Sequence, residues 1–252
     1  MQSLRLALAL LTRIPVRLAT PVTAADHGRA VSAYPLVGAL LGGLLMALAG
    51  LAVHNGLPVW PTAIALLTLQ VVLTGALHLD GLADSADAWL GGQGDRARTL
   101  RIMKDPACGP AGVCALLLVL LGRGAALATL LALGTATALL PLLLAPLLGR
   151  SACAALFLSL PYVRAGGLGH DAAETLPRKR VGLAIAVALL GTVAVGGGVG
   201  ALMLGIALLA FLLARQQMQQ RLGGFTGDTA GALVEITETL VLLGAALWLG
   251  RS

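Results

Sequence analysis

The chain has 252 residues, of which 58% are hydrophobic and 11% charged, with a mean hydropathy of +0.92 and a formal net charge of +6. That balance excludes an ordinary soluble domain, in which roughly a quarter of the residues are charged, and it assigns the chain to a lipid bilayer. Three cysteines, Cys108, Cys114 and Cys153, show no metal-ligand spacing and read as ordinary buried thiols.

Residues 1 to 30 read as an interfacial segment. The apolar core Leu6 to Leu11 is too short for a signal peptide and ends at Arg13. Leu4, Leu8, Leu11 and Ile14 on one side, with Arg5, Arg13 and Arg17 off it, predict an amphipathic helix lying on the membrane. The uncharged run Val31 to Leu79 follows, broken by the turn-like "HNGLP" near Asn55 and Gly56. The stretch Ala107 to Pro161 breaks near Gly134. Val181 to Ala214 as one helix would be about 50 Å long, against a hydrocarbon core of about 30 Å, so two short spans meeting at glycines 196 to 198 are expected. Thr229 to Gly250 is the last span, interrupted by Glu235 and Glu238. The expected fold is all-α: a polytopic integral membrane protein of about seven transmembrane helices, forming one membrane-embedded domain over residues 1 to 252.

The basic residues order these spans. Apart from Arg123, Arg150 and Arg251, all 17 fall before the first span or in the connections 79 to 110, 162 to 180 and 215 to 228. The positive-inside rule puts these connections, with the N-terminus, on the cytoplasmic side of a bacterial inner membrane. Membrane topology thus accounts for the basic charge, and no nucleic-acid partner is expected.

Against this background the stretch "HLDGLADSADAWLGG", residues 78 to 92, stands out. Asp80, Asp84 and Asp87 fall at i, i+4 and i+7, within an arc of roughly 60° on a helix. Their mutual repulsion weakens a helix that has no partner for them, and no lysine or arginine lies between His78 and Gly94. A hard divalent cation such as Mg²⁺, which takes oxygen ligands, would relieve it. A solvated polar stripe is the bland alternative. His78 falls near the opposite side of the helix. A second acidic set, Asp228, Glu235 and Glu238, shares one face in "RLGGFTGDTAGALVEITETL", residues 221 to 240. Acidic residues inside a span usually face a cavity, a partner or an ion; for Asp228 helix capping is the alternative. Lys104 and Asp105 precede a proline-led turn, and Lys104 suits either phosphate binding or topology. Arg123 and Arg150 lie inside spans, Arg150 as a candidate anion contact and Arg123 as a structural partner.

With these residues in hand, the chain resembles the cobalamin synthase family. The resemblance rests on "LLTRIPV" (10 to 16), "AYPLVGALLGG" (33 to 43), "HLDGLADSADAWLGG" (78 to 92), "RIMKDPACGPAGV" (101 to 113), "LGRSA" (148 to 152), "PYVRAGGLG" (161 to 169) and "RLGGFTGDTAGALVEITETLVLL" (221 to 243). One departure is "KDPACGPAG", where many relatives look like "KDSRIGAYG". The resemblance implies a transferase that joins adenosylcobinamide-GDP to α-ribazole or its 5′-phosphate with release of GMP. Asp80, Asp84 and Asp87 form one half of the expected Mg²⁺ site, and Asp228, Glu235 and Glu238 the other, on the geometry and charge of the two acidic faces. The catalytic face would be Asp80, Asp84 and Asp87, with Asp84 as general base. The resemblance also implies substrate contacts from Arg13, His78, Lys104, Asp105, Arg150 and Thr226, each of which lies in a matching stretch. Two rivals remain at this point: a membrane phosphotransferase of the CDP-alcohol type, and a cation- or proton-coupled transporter using Glu235 and Glu238. Self-association is allowed but no state is specified.

Overall fold

A computed structural model describes residues 2 to 18 and 21 to 251. Met1, Ala19 and Thr20 of the expected N-terminal helix, and Ser252, lie outside the described residues. Within them the chain is helical: α1 (Gln2–Leu11), α2 (Ala24–Val31), α3 (Tyr34–His54), α4 (Val59–Thr74), α5 (Leu77–Gly92), α6 (Arg96–Ile102), α7 (Pro110–Leu133), α8 (Ala136–Ser159), α9 (Leu168–Glu174), α10 (Arg178–Leu222) and α11 (Gly227–Leu249). Five of these (α3, α7, α8, α10 and α11) are long and apolar enough to cross a membrane, and the bent pair α4 and α5 makes a sixth such unit.

The 45-residue α10 is not one rod. Gly197 has φ 52° and ψ −130°, outside the helical region. A Cβ on Gly200 would lie 2.2 Å from the carbonyl oxygen of Thr192, whereas eight residues of straight helix span about 12 Å. Arg178 bonds the carbonyl of Leu158 and Arg215 that of Ser159, so both ends of α10 reach the same turn. The helix is therefore a hairpin of two antiparallel arms, as the glycines at 196 to 198 led one to expect. The breaks near Asn55 and Gly134 also stand where expected, Gly134 as a left-handed cap.

Two expectations are corrected. The N-terminal helix stops at Leu11, because Pro15 disfavours helix at the residue before it and the Thr12 hydroxyl bonds back to the Leu8 carbonyl at 2.7 Å. Leu6, Ala7 and Leu11 are buried against α2 and α3 instead of facing lipid, and Ile14 lies beyond the helix. The second span does not run to Leu79. It ends at Thr74, where Gly75 (φ 62°) and Ala76 (φ 57°) place two successive residues in the left-handed region and turn the chain by 87°. Consequently α5 runs across the end of the bundle rather than through it. Among the cysteines, Cys153 is buried as expected, whereas Cys108 and Cys114 are exposed.

The tightest helix pair is α3 with α8. A Cβ on Gly38 would lie 2.2 Å from the Pro146 carbonyl oxygen, and one on Gly42 2.4 Å from that of Leu143. Pro146 donates no N–H to Leu142, the carbonyl one turn back, and that oxygen would lie 2.9 Å from a Gly42 Cβ. Glycine thus lets the backbones touch where lipid supplies no hydrophobic drive for association. Gly42→Ala should lower stability in detergent by about 1 to 3 kcal/mol through overpacking. Gly43→Ala, whose new methyl meets its nearest neighbour at 3.9 Å, should be neutral or slightly stabilising; thermal unfolding of the two variants checks the pair.

Candidate active site

Three connections converge at one end of the bundle. Phe225 holds them together: its N–H donates to the Pro161 carbonyl and its own carbonyl accepts from the Val163 N–H, both at 3.0 Å. Its ring packs edge-to-face on Phe157 at 4.9 Å and Tyr162 at 5.3 Å. Arg96 donates to the Leu222 carbonyl and Arg221 to that of Trp89, both at 2.7 Å, tying α6 and α5 to the end of α10. This clasp places Arg164 in an ion pair with Asp228 at the start of α11.

α5 crosses α11 at backbone contact. A Cβ on Gly81 would lie 2.7 Å from the Asp228 carbonyl oxygen, and one on Gly231 3.1 Å from the His78 Cα. The two acidic segments, distant in sequence, therefore meet. Asp80, Asp84 and Asp87 do share a face of α5, and Asp84 is pushed up to about 6: burial is the largest cause, followed by the charges of Asp80 and Asp228, with Arg164 opposing and Asp87 adding. Thr226 caps α11 by accepting from the Thr229 N–H at 3.2 Å, which leaves the Asp228 carboxylate free of capping.

The expected six-carboxylate metal site is corrected by this geometry. Asp87 accepts from the Gly109 N–H at 2.7 Å and the Gly112 N–H at 2.9 Å. It thus caps the N-terminus of α7, whose dipole favours an anion there, and the two glycines leave room for it. Glu235 and Glu238 lie deeper, near the middle of α11, with cations of their own. Arg123 bonds Glu235 at 2.7 Å, Arg150 pairs with Glu238, and Gln70 donates to Glu238 at 2.6 Å. Both glutamates are neutralised in the closed interior, whereas Asp228 and its partner Arg164 are part-exposed at the end of the bundle. Arg150 is 1% exposed and so serves this network rather than a substrate. Thr226 and His78 are likewise buried, the first in its capping box and the second beneath the α5–α11 crossing. Asp105 is exposed and bonds the Ala107 N–H at 3.0 Å, shaping its own turn. Arg13 lays its side-chain stem over Gly75 at the α4–α5 bend, and its N–H donates to the Leu73 carbonyl at 2.7 Å.

What remains for a cation is Asp80, Asp84 and Asp228. Among the described residues no group of three or more His, Cys, Asp or Glu side chains is already drawn together as a metal cage. Mg²⁺ binds through one or two carboxylates and completes its shell with water and substrate phosphate. Burial, and after it the charges of Asp80 and Asp228, raise Asp84; a cation would relieve the repulsion among these carboxylates, which is the respect in which the oxygen donors suit Mg²⁺. Beside them lies a cleft of about 720 Å³ lined by Arg101, Lys104, Tyr162, Arg164, Gly166 and Gly167 among others. Arg101 and Arg164 were absent from the expected site. The signal for Arg164 was present in "PYVRAGGLG", an arginine in a matching stretch next to glycines.

Comparison with known proteins agrees with this arrangement. The family described as cobalamin-5-phosphate synthase matches residues 3 to 246. The chain belongs to that family. It is 51% identical to the adenosylcobinamide-GDP ribazoletransferase of Stutzerimonas stutzeri (strain A1501), over 100% of both chains. It is 52% identical to the enzyme so named from Pseudomonas entomophila (strain L48), covering 96% of this chain and 97% of the relative. The like-named protein of Pseudomonas aeruginosa PAO1 is also 52% identical, with 98% of each covered. No solved structure matches.

Two outcomes follow for this family member. Glu238→Gln should destabilise it by about 3 to 5 kcal/mol, because Arg150 is left buried without its anion. Replacing Glu238 and Arg150 together by methionine should recover most of that loss in thermal unfolding. The second concerns pH. Asp84 in the folded protein holds its proton up to about 6, above the ordinary aspartate value of about 3.9. Metal-free protein should therefore lose stability as pH rises from about 4 through about 6. Asp84→Asn should flatten that slope, and Mg²⁺ should raise the melting temperature of the unaltered protein more at pH 7.5 than at pH 5.

Proposed function

We propose that the chain joins adenosylcobinamide-GDP to the 5′-hydroxyl of α-ribazole, or of its 5′-phosphate, and releases GMP, at the end of the bundle where α5 crosses α11. The observation that carries this reading is the meeting of Asp80 and Asp84 with Asp228 and Arg164, beside a basic cleft, in a transferase of this family. The protein sits in the bacterial cytoplasmic membrane with this end toward the cytoplasm, supported by the concentration of arginine and lysine there.

Bound Mg²⁺ would supply positive charge that lets carboxylates and a diphosphate share one site and would offset charge on the phosphate under attack. Asp80 and Asp228 would hold the ion. Asp84, with its carboxyl raised to about 6, is poised near neutral pH to accept the proton of the ribazole 5′-hydroxyl. The hydroxyl oxygen then forms its bond to the phosphorus carrying cobinamide. The bond from that phosphorus to the bridging oxygen breaks, and its electron pair leaves with GMP. Arg164, paired with Asp228 and lining the cleft, lies where it would contact phosphate. Arg13 at the α4–α5 bend and Lys104 in the cleft contact phosphate from the flanks.

The transporter reading loses its motive, because Glu235 and Glu238 are held by Arg123 and Arg150. The decisive assay uses protein purified in detergent with adenosylcobinamide-GDP, α-ribazole and Mg²⁺, measuring GMP and corrinoid product. Chelation should abolish turnover, and Asp84→Asn should lower it by about 10² to 10⁴ while the protein stays folded. GMP no higher than in a protein-free control would refute the assignment.

A further inference from the structure

The site has two walls of opposite charge. One is Asp80 and Asp84 on α5 with Asp228 on α11; the other is Arg101 and Lys104 at the end of α6 with Arg164 on the clasped segment. Among the described residues lining the cleft none is acidic. Arg164 stands between the walls, paired to Asp228 on one side and lining the cleft on the other. Its buried Nε has no hydrogen-bond acceptor, a donor left for an incoming oxygen. Gly166 and Gly167, at φ 75° and 84°, turn the backbone along the same cleft, and open space surrounds the Cβ position of each.

An in-line displacement puts nucleophile and leaving group on opposite sides of the phosphorus. The nucleophile must give up a proton, so its side belongs against a carboxylate. The leaving group gains negative charge as the bridging bond breaks, so its side belongs against cations. A reversed substrate would press the departing phosphate on three carboxylates and set the hydroxyl among guanidinium groups that take no proton. We infer that the cleft between α6 and residues 162 to 167 is the seat of the guanosine monophosphate leaving group, and that the opposed charge of the two walls fixes which end of the diphosphate enters it. At about 720 Å³ the cleft lies within the range of roughly 300 to 1,000 Å³ found for small-molecule sites. Arg101 and Lys104 receive the nucleoside-linked phosphate, and Arg164 receives the phosphate under attack. This inference rests on the reaction proposed above and adds the orientation of its substrate.

The test measures binding separately from turnover. GMP is titrated by calorimetry into the full-length protein in detergent with Mg²⁺, with guanosine and inorganic phosphate as parallel ligands. GMP should bind more tightly than either fragment. Arg101→Gln and Lys104→Gln should each weaken GMP by about tenfold without changing the melting temperature. In turnover, GMP should compete with the GDP-linked substrate, and both variants should raise the KM for that substrate and leave the KM for α-ribazole unchanged. Active enzyme whose GMP affinity ignores both substitutions, or variants whose KM rises for α-ribazole instead, would overturn the inference and leave the reaction standing. Protein that binds GMP through Arg101 and Lys104 yet never releases it from substrate would overturn the reaction and keep the cleft as a nucleotide site.

Discussion

The contact on which the site depends is the crossing of α5 and α11, where Gly81 and Gly231 let two backbones touch. A methyl group at Gly81 would meet the Asp228 carbonyl oxygen at 2.7 Å and force the two helices to shift, while one at Gly231 would meet the His78 Cα at 3.1 Å and ask for a smaller adjustment. The crossing depends in turn on the bend at Gly75 and Ala76. Were α4 to continue straight, its aspartates would project along the bundle axis and never lie over the start of α11. Ala76 holds a left-handed conformation that a residue with a Cβ adopts at a cost of about 1 kcal/mol or more, so surrounding packing must hold the turn. The Arg13 stem over Gly75 is part of that packing.

Below the crossing the protein solves a different electrostatic problem. Two glutamates on α11 and two arginines, on α7 and α8, share the apolar interior with no net charge, and Gln70 from α4 adds a hydrogen bond. Four helices thus meet in one polar cluster. Each ion would be costly alone in hydrocarbon; together they set the rotation and depth of α11, and hence the position of Asp228 two to three turns above. At the end of the bundle Asp228 pairs with Arg164, while Asp80 and Asp84 make no ion pair among the described residues, and this contrast separates the site from the scaffold.

Sequence reading recovered what is local. The breaks at Asn55, Gly134 and the glycines 196 to 198 are each visible as turn residues inside apolar runs, and Asp80, Asp84 and Asp87 share a face because helical periodicity requires it. The bend at Gly75 and Ala76 was missed although Thr74 and Gly75 stand in "VVLTGALHL", because a single glycine inside an apolar run reads equally as a helix-packing residue in a membrane. The duties of Asp87, Glu235 and Glu238 were misjudged for a common reason: their partners are far along the chain. A lone acid in a span looks the same whether a metal or a guanidinium awaits it, and Arg123 and Glu235 are 112 positions apart. Thr226 was expected as a substrate contact because it lies in a matching stretch, whereas its hydroxyl closes a capping box.

The buried charge cluster bears on how the protein comes to exist in a cell. A chain made from its N-terminus commits α7 and α8 to the membrane, with Arg123 and Arg150 inside them, well before α11 with both glutamates has left the ribosome. During that interval two cations lie in the lipid or its margins without their anions, held by snorkelling or by the insertion machinery. Insertion of α11 neutralises the interior and, in the same movement, brings Asp228 to the aspartates of α5. A chain cut short before Glu235 would carry Arg123 and Arg150 in the membrane without these anions.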